Sequence, residues 1–243
     1  ASISNNTIYS ILPDNNGLWI GTRGGGLNRL DLRTERFTHF FHNSTDPRSL
    51  SSNDILSLAR DPEGNLWIGT GYGLNRMEQD NTFTRFTERD GLPNNTIHGI
   101  LADARGILWI STNRGISRYT PGDSQPVNYT TNDELQNNEF SDGAYYRAPN
   151  GTFYFGGISG FNHFVPEQIH ERNFSPSIGI TDFKVFNKRI PQYNSAYFYR
   201  PDNGVTLNHD QHFFSIGFVA FDFIDNCNCE YAYKLDGFDR DWV

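Results

Sequence analysis

The chain of 243 residues carries 20 basic and 28 acidic side chains, and its formal net charge of −8 argues against a nucleic-acid partner. Its 20 Phe, 12 Tyr and 4 Trp against a single Met are typical of aromatic-rich β structure. It contains no apolar run of about 18 residues, the length needed to span a membrane. No signal peptide precedes Ala1, which indicates a cytosolic protein or an excised portion of a larger one.

One sequence phrase recurs along the first two thirds of the chain. An apolar run, an Asp-x-x-Gly turn, a Trp-Ile pair, a Gly/Ser-Thr pair and a segment like Gly-Leu-Asn-Arg occur three times, starting at Thr7, Asp54 and Thr96. The tryptophans of these copies are 48 and 42 residues apart, and Tyr154 takes their place in a degenerate fourth copy 45 residues further on. Such a period, with short alternating segments and turns, is typical of four-stranded β-propeller blades. The three tryptophans are Trp19, Trp67 and Trp109.

The second copy shows how a blade would be built. Strands are predicted over 55–60, 66–70, 73–77 and 82–87, with Trp67 wedged between neighbouring sheets. Asp61-Pro62-Glu63-Gly64 predicts a type I turn between the first two strands. The aspartates at this turn in each copy are therefore interpreted as turn formers rather than catalytic groups.

The fourth copy keeps its turn at 148–151, but Val165-Pro166-Glu167-Gln168 stands where an outer strand is expected. We therefore interpret residues 1–168 as four blades forming the C-terminal part of a larger propeller. From Pro176 the periodicity changes, which predicts a linker around 166–175 and the start of an Ig-like β-sandwich over 176–243. The strands of this sandwich are expected within 176–190, 213–223 and 230–243. The expected fold class is all-β, with helix almost absent.

The only two cysteines, Cys227 and Cys229, are too close in sequence for an easy disulfide within a strand. A zinc site with His209 and His212 is an alternative, but this spacing matches no common structural zinc pattern. Ordinary thiols near a turn are favoured, and neither a metal nor a cofactor is expected.

The repeats at 7–29, 54–76 and 96–118 resemble two-component regulator propeller repeats. The segment 138–162 resembles the closing blade of that family, and 231–242 (Tyr-x-Tyr-Lys-Leu-x-Gly-Phe-Asp-x-x-Trp) is similar to the start of the triple-tyrosine (Y_Y_Y) domain. Together these motifs cover nearly the whole chain. The chain thus resembles the sensor region of hybrid two-component systems of Bacteroidetes.

This resemblance implies a periplasmic receptor with two seven-bladed propellers, a sandwich, a membrane helix, a histidine kinase and a response regulator. Such receptors sense oligosaccharides and regulate transcription of genes for polysaccharide use. The present region is accordingly expected to bind an oligosaccharide, to lack enzymatic activity and to relay its signal through the sandwich. It would dimerise through that sandwich and would meet the membrane only through a downstream segment.

Two other function classes remain open. A propeller glycosidase or polysaccharide lyase would need two carboxylates about 5–10 Å apart on one face. The acidic cluster outside the turns could supply them, although solvated loop charge explains it as well. A purely structural protein-interaction propeller is the third possibility. The cluster consists of Asp133, Glu134, Glu139 and Asp142.

The ligand site is expected on the face that carries the loops between second and third strands and the loops leading into each first strand. The Asp-x-x-Gly turns are expected on the opposite face. Sugars are bound by aromatic stacking and planar hydrogen-bonding side chains, and acidic sugars by arginine. The alternative is that these are simply exposed loop residues. The candidate ligand-binding residues are Arg23, His42, Arg48, Tyr72, Asn113 and Arg114.

Overall fold

In the computed structural model the chain divides into two compact units, Ala1–His170 and Glu171–Val243. The structure describes residues 2–169, 177–189, 207–221 and 231–243. Across these ranges no helix is long and apolar enough to cross a membrane. Within the same ranges the predicted scarcity of helix is confirmed, because helical structure is confined to short 3₁₀ turns at Glu88–Asp90, Thr131–Asp133 and Pro166–Gln168.

The first unit begins with three antiparallel sheets of four strands each, paired in chain order as in propeller blades. In the second sheet the first three strands have the predicted bounds, and the outer strand lies within the predicted 82–87. The first sheet comprises β1 (Ile8–Asp14), β2 (Gly17–Thr22), β3 (Leu27–Asp31) and β4 (Arg36–Phe40). The second comprises β5 (Ile55–Arg60), β6 (Leu66–Thr70), β7 (Gly73–Met77) and β8 (Phe83–Phe86), and the third β9 (Ile97–Ala102), β10 (Leu108–Thr112), β11 (Gly115–Tyr119) and β12 (Val127–Tyr129).

The fourth sheet has three strands: β13 (Phe140–Arg147), β14 (Phe153–Gly157) and β15 (Gly160–Phe164). The turn at 148–151 is closed by the Gly151 amide, which donates to the Ala148 carbonyl at 2.9 Å. Beyond β15 the described chain forms the Pro166–Gln168 turn in place of an outer strand. The prediction of a last blade with three strands of its own is confirmed.

Each tryptophan of a second strand packs against the following sheet. Trp67 is fully buried and lies in one cluster with Ile97, Ile100 and Leu108 of the third sheet. Trp19 packs in the same way on the second sheet and Trp109 on the fourth. The prediction that Trp67 is buried between blades is confirmed.

Tyr145 on β13 lies where the inner strands of the first unit approach one another. Its ring fills the space above Gly99 of β9, where an added Cβ would come within 2.5 Å of the ring. Burial raises the pKa of Tyr145, and hydrogen bonds with the Ser10 side chain and the Leu58 backbone partly oppose this rise. One side chain of the fourth sheet thus contacts residues of the other three.

The second unit contains one three-stranded antiparallel sheet, in the order β17 (Lys188–Arg189), β16 (Ile178–Val185), β18 (Phe214–Ala220). The strand predicted over 230–243 does not form across 231–243. There Gly237 adopts a φ of +83° and the Asp239 carboxylate accepts from the Leu235 amide, which produces a turn instead. The two cysteines lie outside the described residues, and the sandwich stays a prediction.

Candidate functional site

The loops predicted to share one face do meet there. At the start of three third strands a glycine amide donates to the asparagine carbonyl of the following loop; Gly73 to Asn95 is the shortest of these bonds, at 2.6 Å. On the opposite face, the Asp14 carboxylate of the first Asp-x-x-Gly turn forms an ion pair with Arg60, beside the second turn. The two faces are thus as predicted from the blade pattern.

A pocket of about 510 Å³ opens on this loop face, between the second sheet and the 42–54 loop that leads into it. It brings together two of the six candidate residues, His42 and Tyr72. Its volume falls within the range of about 300–1,000 Å³ that is usual for small-molecule sites. The lining residues are His42, Ser51, Ser52, Asn53, Asp54, Tyr72, Arg85 and Thr87.

His42 is held in the pocket by both its backbone and its ring. Its amide donates to the Asn53 side-chain oxygen at 2.7 Å. Its Nδ1 contacts the Leu50 carbonyl oxygen at 2.6 Å, and since a carbonyl only accepts, Nδ1 carries the proton. The ring therefore has a fixed orientation, and Nε2 is its remaining hydrogen-bonding atom.

Tyr72 presents an exposed aromatic ring, with 62% of the residue accessible. The loop that carries it is fixed locally, because its amide donates to the Thr70 hydroxyl at 3.0 Å. The next residue, Gly73, has a φ of +124°, and a Cβ there would collide with the Phe86 carbonyl oxygen. This tight start of β7 fixes the backbone beside an exposed aromatic surface.

Arg85 on β8 is a pocket residue that the sequence pattern did not identify. Its Nε donates to the Ser49 carbonyl at 2.7 Å, and Nη2 donates to the Asp46 carbonyl at 2.8 Å and the Leu50 carbonyl at 3.0 Å. Only the strand register and the path of the 42–54 loop bring Arg85 to the pocket, and neither is visible in a repeat motif.

The other candidate residues lie outside this pocket. Arg48 forms an ion pair with Asp80 and donates to the Thr82 hydroxyl at 2.8 Å. Hydrogen bonds from Thr82, followed by Arg48, lower the pKa of Asp80. Arg23 and Arg114 are exposed on the loops of the first and third sheets. Arg23 and Arg114 share the face with the pocket without lining it, whereas the Arg48 side chain contacts the turn between β7 and β8, at the opposite end of those strands.

Asn113 belongs to a separate polar cluster between the third and fourth sheets. His98 of β9, which is almost fully buried, contacts the Asn113 side-chain oxygen through Nε2 at 2.8 Å and the Asp142 carboxylate through Nδ1 at 2.5 Å. Asp133 caps a 3₁₀ turn by accepting from the Thr130 amide. Two members of the acidic cluster therefore have structural partners.

Known proteins are similar both to the repeats of the first unit and to the chain as a whole. A model of the two-component regulator propeller family matches residues 2–24, 49–72 and 91–114. The curated histidine kinase P4 of Formosa agariphila is 30% identical over 97% of this chain, which covers 21% of that protein.

Two solved structures support the fold. The extracellular domain of the hybrid two-component system BT3049 of B. thetaiotaomicron matches 100% of this chain at 28% identity with a TM-score of 0.81, and 33% of that chain is covered. The extracellular domain of BT4673 of the same organism matches 99% of this chain at 21% identity with a TM-score of 0.51, and 31% of that chain is covered. The second likeness concerns the fold alone.

These matches confirm the resemblance inferred from the motifs. The first unit carries two-component regulator propeller repeats, and the whole chain is similar to part of the extracellular domain of a hybrid two-component system. The chain spans about a third of those solved chains and about a fifth of the curated relative.

Proposed function

We propose that this region is the extracytoplasmic, periplasmic ligand-sensing part of a hybrid two-component sensor and that it binds an oligosaccharide. The observation that carries the proposal is the pocket on the loop face, where the exposed ring of Tyr72 lies with fixed polar groups such as His42. The similarity to an extracellular domain of a hybrid two-component system supports the sensor role.

The pocket has the chemistry that a sugar requires. A pyranose ring has an apolar face that stacks on an aromatic side chain and hydroxyls that need planar donors and acceptors. Tyr72 offers the first, and Asn53, Asp54, His42 and Arg85 offer the second. Because the Arg85 and His42 side chains are held by backbone carbonyls, little conformational entropy is lost on binding.

The signal would pass from this unit to the second one, which resembles the start of a Y_Y_Y domain. A ligand can shift such a receptor only by binding one of its two conformational states more tightly than the other. Dimerisation through the second unit would transmit this difference to a histidine kinase downstream and so to transcription. This region would act by binding, without a catalytic step of its own.

A calorimetric screen of the complete sensor region against a panel of oligosaccharides tests the proposal. For the sugar that binds, Tyr72→Ala should weaken affinity by about tenfold or more, because the stacking surface is lost. Tyr146→Ala is the matched control, since Tyr146 is equally exposed, on the fourth sheet. Arg23→Ala and Arg114→Ala map the rest of the face.

Normal binding by Tyr72→Ala and His42→Ala, with loss in Arg23→Ala or Arg114→Ala, would move the site to the neighbouring loops. New reducing ends or unsaturated products after incubation with the same polysaccharides would contradict a purely binding role and would favour the glycosidase or lyase alternative.

A further inference from the structure

We infer that the pocket selects an anionic oligosaccharide, one that carries a carboxylate or a sulfate ester, and that Arg85 receives the negative group. This inference rests on the proposed function, because it names the ligand class of the same pocket. It is carried by three features of the described residues: the unbalanced charge of Arg85, its fixed geometry, and the position of Asp54.

The positive charge of Arg85 has no counter-ion within the described part of the chain. All four of its hydrogen bonds go to uncharged oxygens, namely three backbone carbonyls and the Ser49 hydroxyl. The ion pairs found in the described ranges do not include it, and its Nη1 makes no hydrogen bond there. A half-buried guanidinium with no carboxylate partner has lost part of its hydration without a compensating ion pair. An anionic group of a ligand would supply that partner.

The guanidinium is also prepared in advance for such a ligand. The Leu50 carbonyl accepts from both Arg85 Nη2, at 3.0 Å, and His42 Nδ1, at 2.6 Å, so the two side chains lie next to one another. The remaining donors of a fixed guanidinium match the oxygens of a carboxylate or sulfate. Side chains that are already ordered lose less entropy on binding.

The third sheet shows that bracing the loop before a sheet does not require a cation at this position, since Asn128 there donates to the Gly91 carbonyl at 2.9 Å. In the cross-strand register Arg85 pairs with Asn75, His39 with Asn28, and Asn128 with Ser117. The outer strand thus carries a permanent positive charge at this position only in the second of the three four-stranded sheets described. That sheet is also the one whose outer strand lines the pocket.

Asp54 adds a negative charge to the pocket that also contains the positive charge of Arg85. Its Oδ1 accepts from the Gly24 amide at 2.8 Å, and Asp54 lines the same cavity as Arg85. An anionic group is repelled from Asp54 and attracted to Arg85, whereas sugar hydroxyls can donate to the carboxylate. The site therefore favours a ligand with its charge at one end and free hydroxyls at the other.

Matched pairs of probes test this inference on the complete sensor region by calorimetry. One arm uses oligogalacturonates of three to five sugars and their carboxyl-reduced forms, and the other uses chondroitin sulfate tetrasaccharides and their desulfated forms. We expect binding in at least one arm, with the charge-removed form about tenfold or more weaker. The affinity should also fall as salt is raised. The arm that binds distinguishes carboxylate from sulfate.

Two variants with opposite expected signs make the test specific. Arg85→Gln should lower the affinity for the anionic probe by about tenfold or more. Asp54→Asn should raise that affinity several-fold, because Asn keeps the acceptor for the Gly24 amide and removes the negative charge that repels the probe. Thermal unfolding reports whether Arg85→Gln has loosened the 46–50 loop. If Arg85→Gln has loosened that loop, the affinity of the Asp54→Asn variant decides between the two outcomes, because this substitution leaves residues 46–50 unchanged.

Tyr72-dependent binding of a neutral sugar that Arg85→Gln leaves unchanged would overturn this inference and leave the proposed function standing. The same holds if Asp54→Asn has no effect on, or weakens, an anionic probe that binds in this pocket. If no sugar of a wider panel binds, the inference and the proposed function fall together.

Discussion

The three tryptophans occupy one position of the repeat but differ in how their indole nitrogens are satisfied. The Nε1 of Trp67 donates to the Asp61 carboxylate at 2.8 Å, so the aspartate of the turn also anchors the buried ring. In the third sheet the corresponding carboxylate, that of Asp103, forms an ion pair with Arg105 instead. Trp109 Nε1 has no hydrogen-bond partner among the described residues. The interpretation of Asp61 as a turn former captured only half of its role. The other half depends on a side-chain distance that no motif encodes.

Truncation of Trp67 tests the burial of this position. We expect Trp67→Ala to lower the free energy of unfolding by about 3–5 kcal/mol, because the ring is fully buried and leaves a cavity between sheets. Urea unfolding of the two proteins measures the difference. Tyr72→Ala is the control, since loss of this exposed ring should lower the free energy of unfolding by less than about 0.5 kcal/mol. A Trp67→Ala protein of wild-type stability would refute the packing described for this residue.

Tyr145 predicts a dependence of stability on alkaline pH. Burial raises its pKa in the folded state above the ordinary value of 10.0, so the folded protein holds this proton more tightly than the unfolded chain. The stabilisation is full below about pH 10 and is lost as pH rises beyond it. Tyr145→Phe, which has no proton to lose, should show a shallower decline in thermal stability as the pH is raised above about 10. Parallel declines in both proteins would show that Tyr145 ionises as freely as in water.

At the scale of the strand pair, the first residue of the Gly/Ser-Thr motif faces a residue of complementary size on the neighbouring strand. In the second sheet Gly69 is paired with Ser57, and in the third the order is reversed, with Ser111 opposite Gly99. A Cβ at Gly69 would lie 2.2 Å from the Ser57 hydroxyl oxygen. The sequence showed the alternation of Gly and Ser in the motif. Its reason required the strand register, which only the structure supplies.

This compensation can be tested by a double-mutant cycle. Gly69→Ser should lower the free energy of unfolding by about 1–3 kcal/mol through overpacking against Ser57 and Ile97. Adding Ser57→Gly reproduces the arrangement of the third sheet and should recover part of that loss, which gives a favourable coupling energy. Chemical denaturation of the four proteins measures it. Additive losses would mean that the two positions do not share the space assigned to them.

For the whole molecule, a repeat period near 45 residues was sufficient to predict the number and order of the strands in the first unit, and in the second sheet the bounds of three of the four strands. Periodicity fails where a repeat is absent, and the strand expected over 230–243 is a turn across its described residues. The site followed the same rule. Tyr72 was a candidate because it follows the Gly/Ser-Thr pair, and His42 because it lies in the long loop leading into the second sheet. Arg85 reaches the pocket through tertiary packing of the 42–54 loop, which no motif shows. Residues on the same loop face, such as Arg114, were grouped with them although blade geometry keeps them apart.

The most direct test of the account is a hydrogen-exchange footprint of the complete sensor region with and without its saturating oligosaccharide. We predict slower amide exchange in three segments that meet only in the folded pocket: 42–54, 71–73 and 85–87. Bound ligand reduces local opening, so protection marks the contact surface and what it stabilises. Protection confined to other segments, for example 139–163 of the fourth sheet, would contradict a binding site between the second sheet and the 42–54 loop.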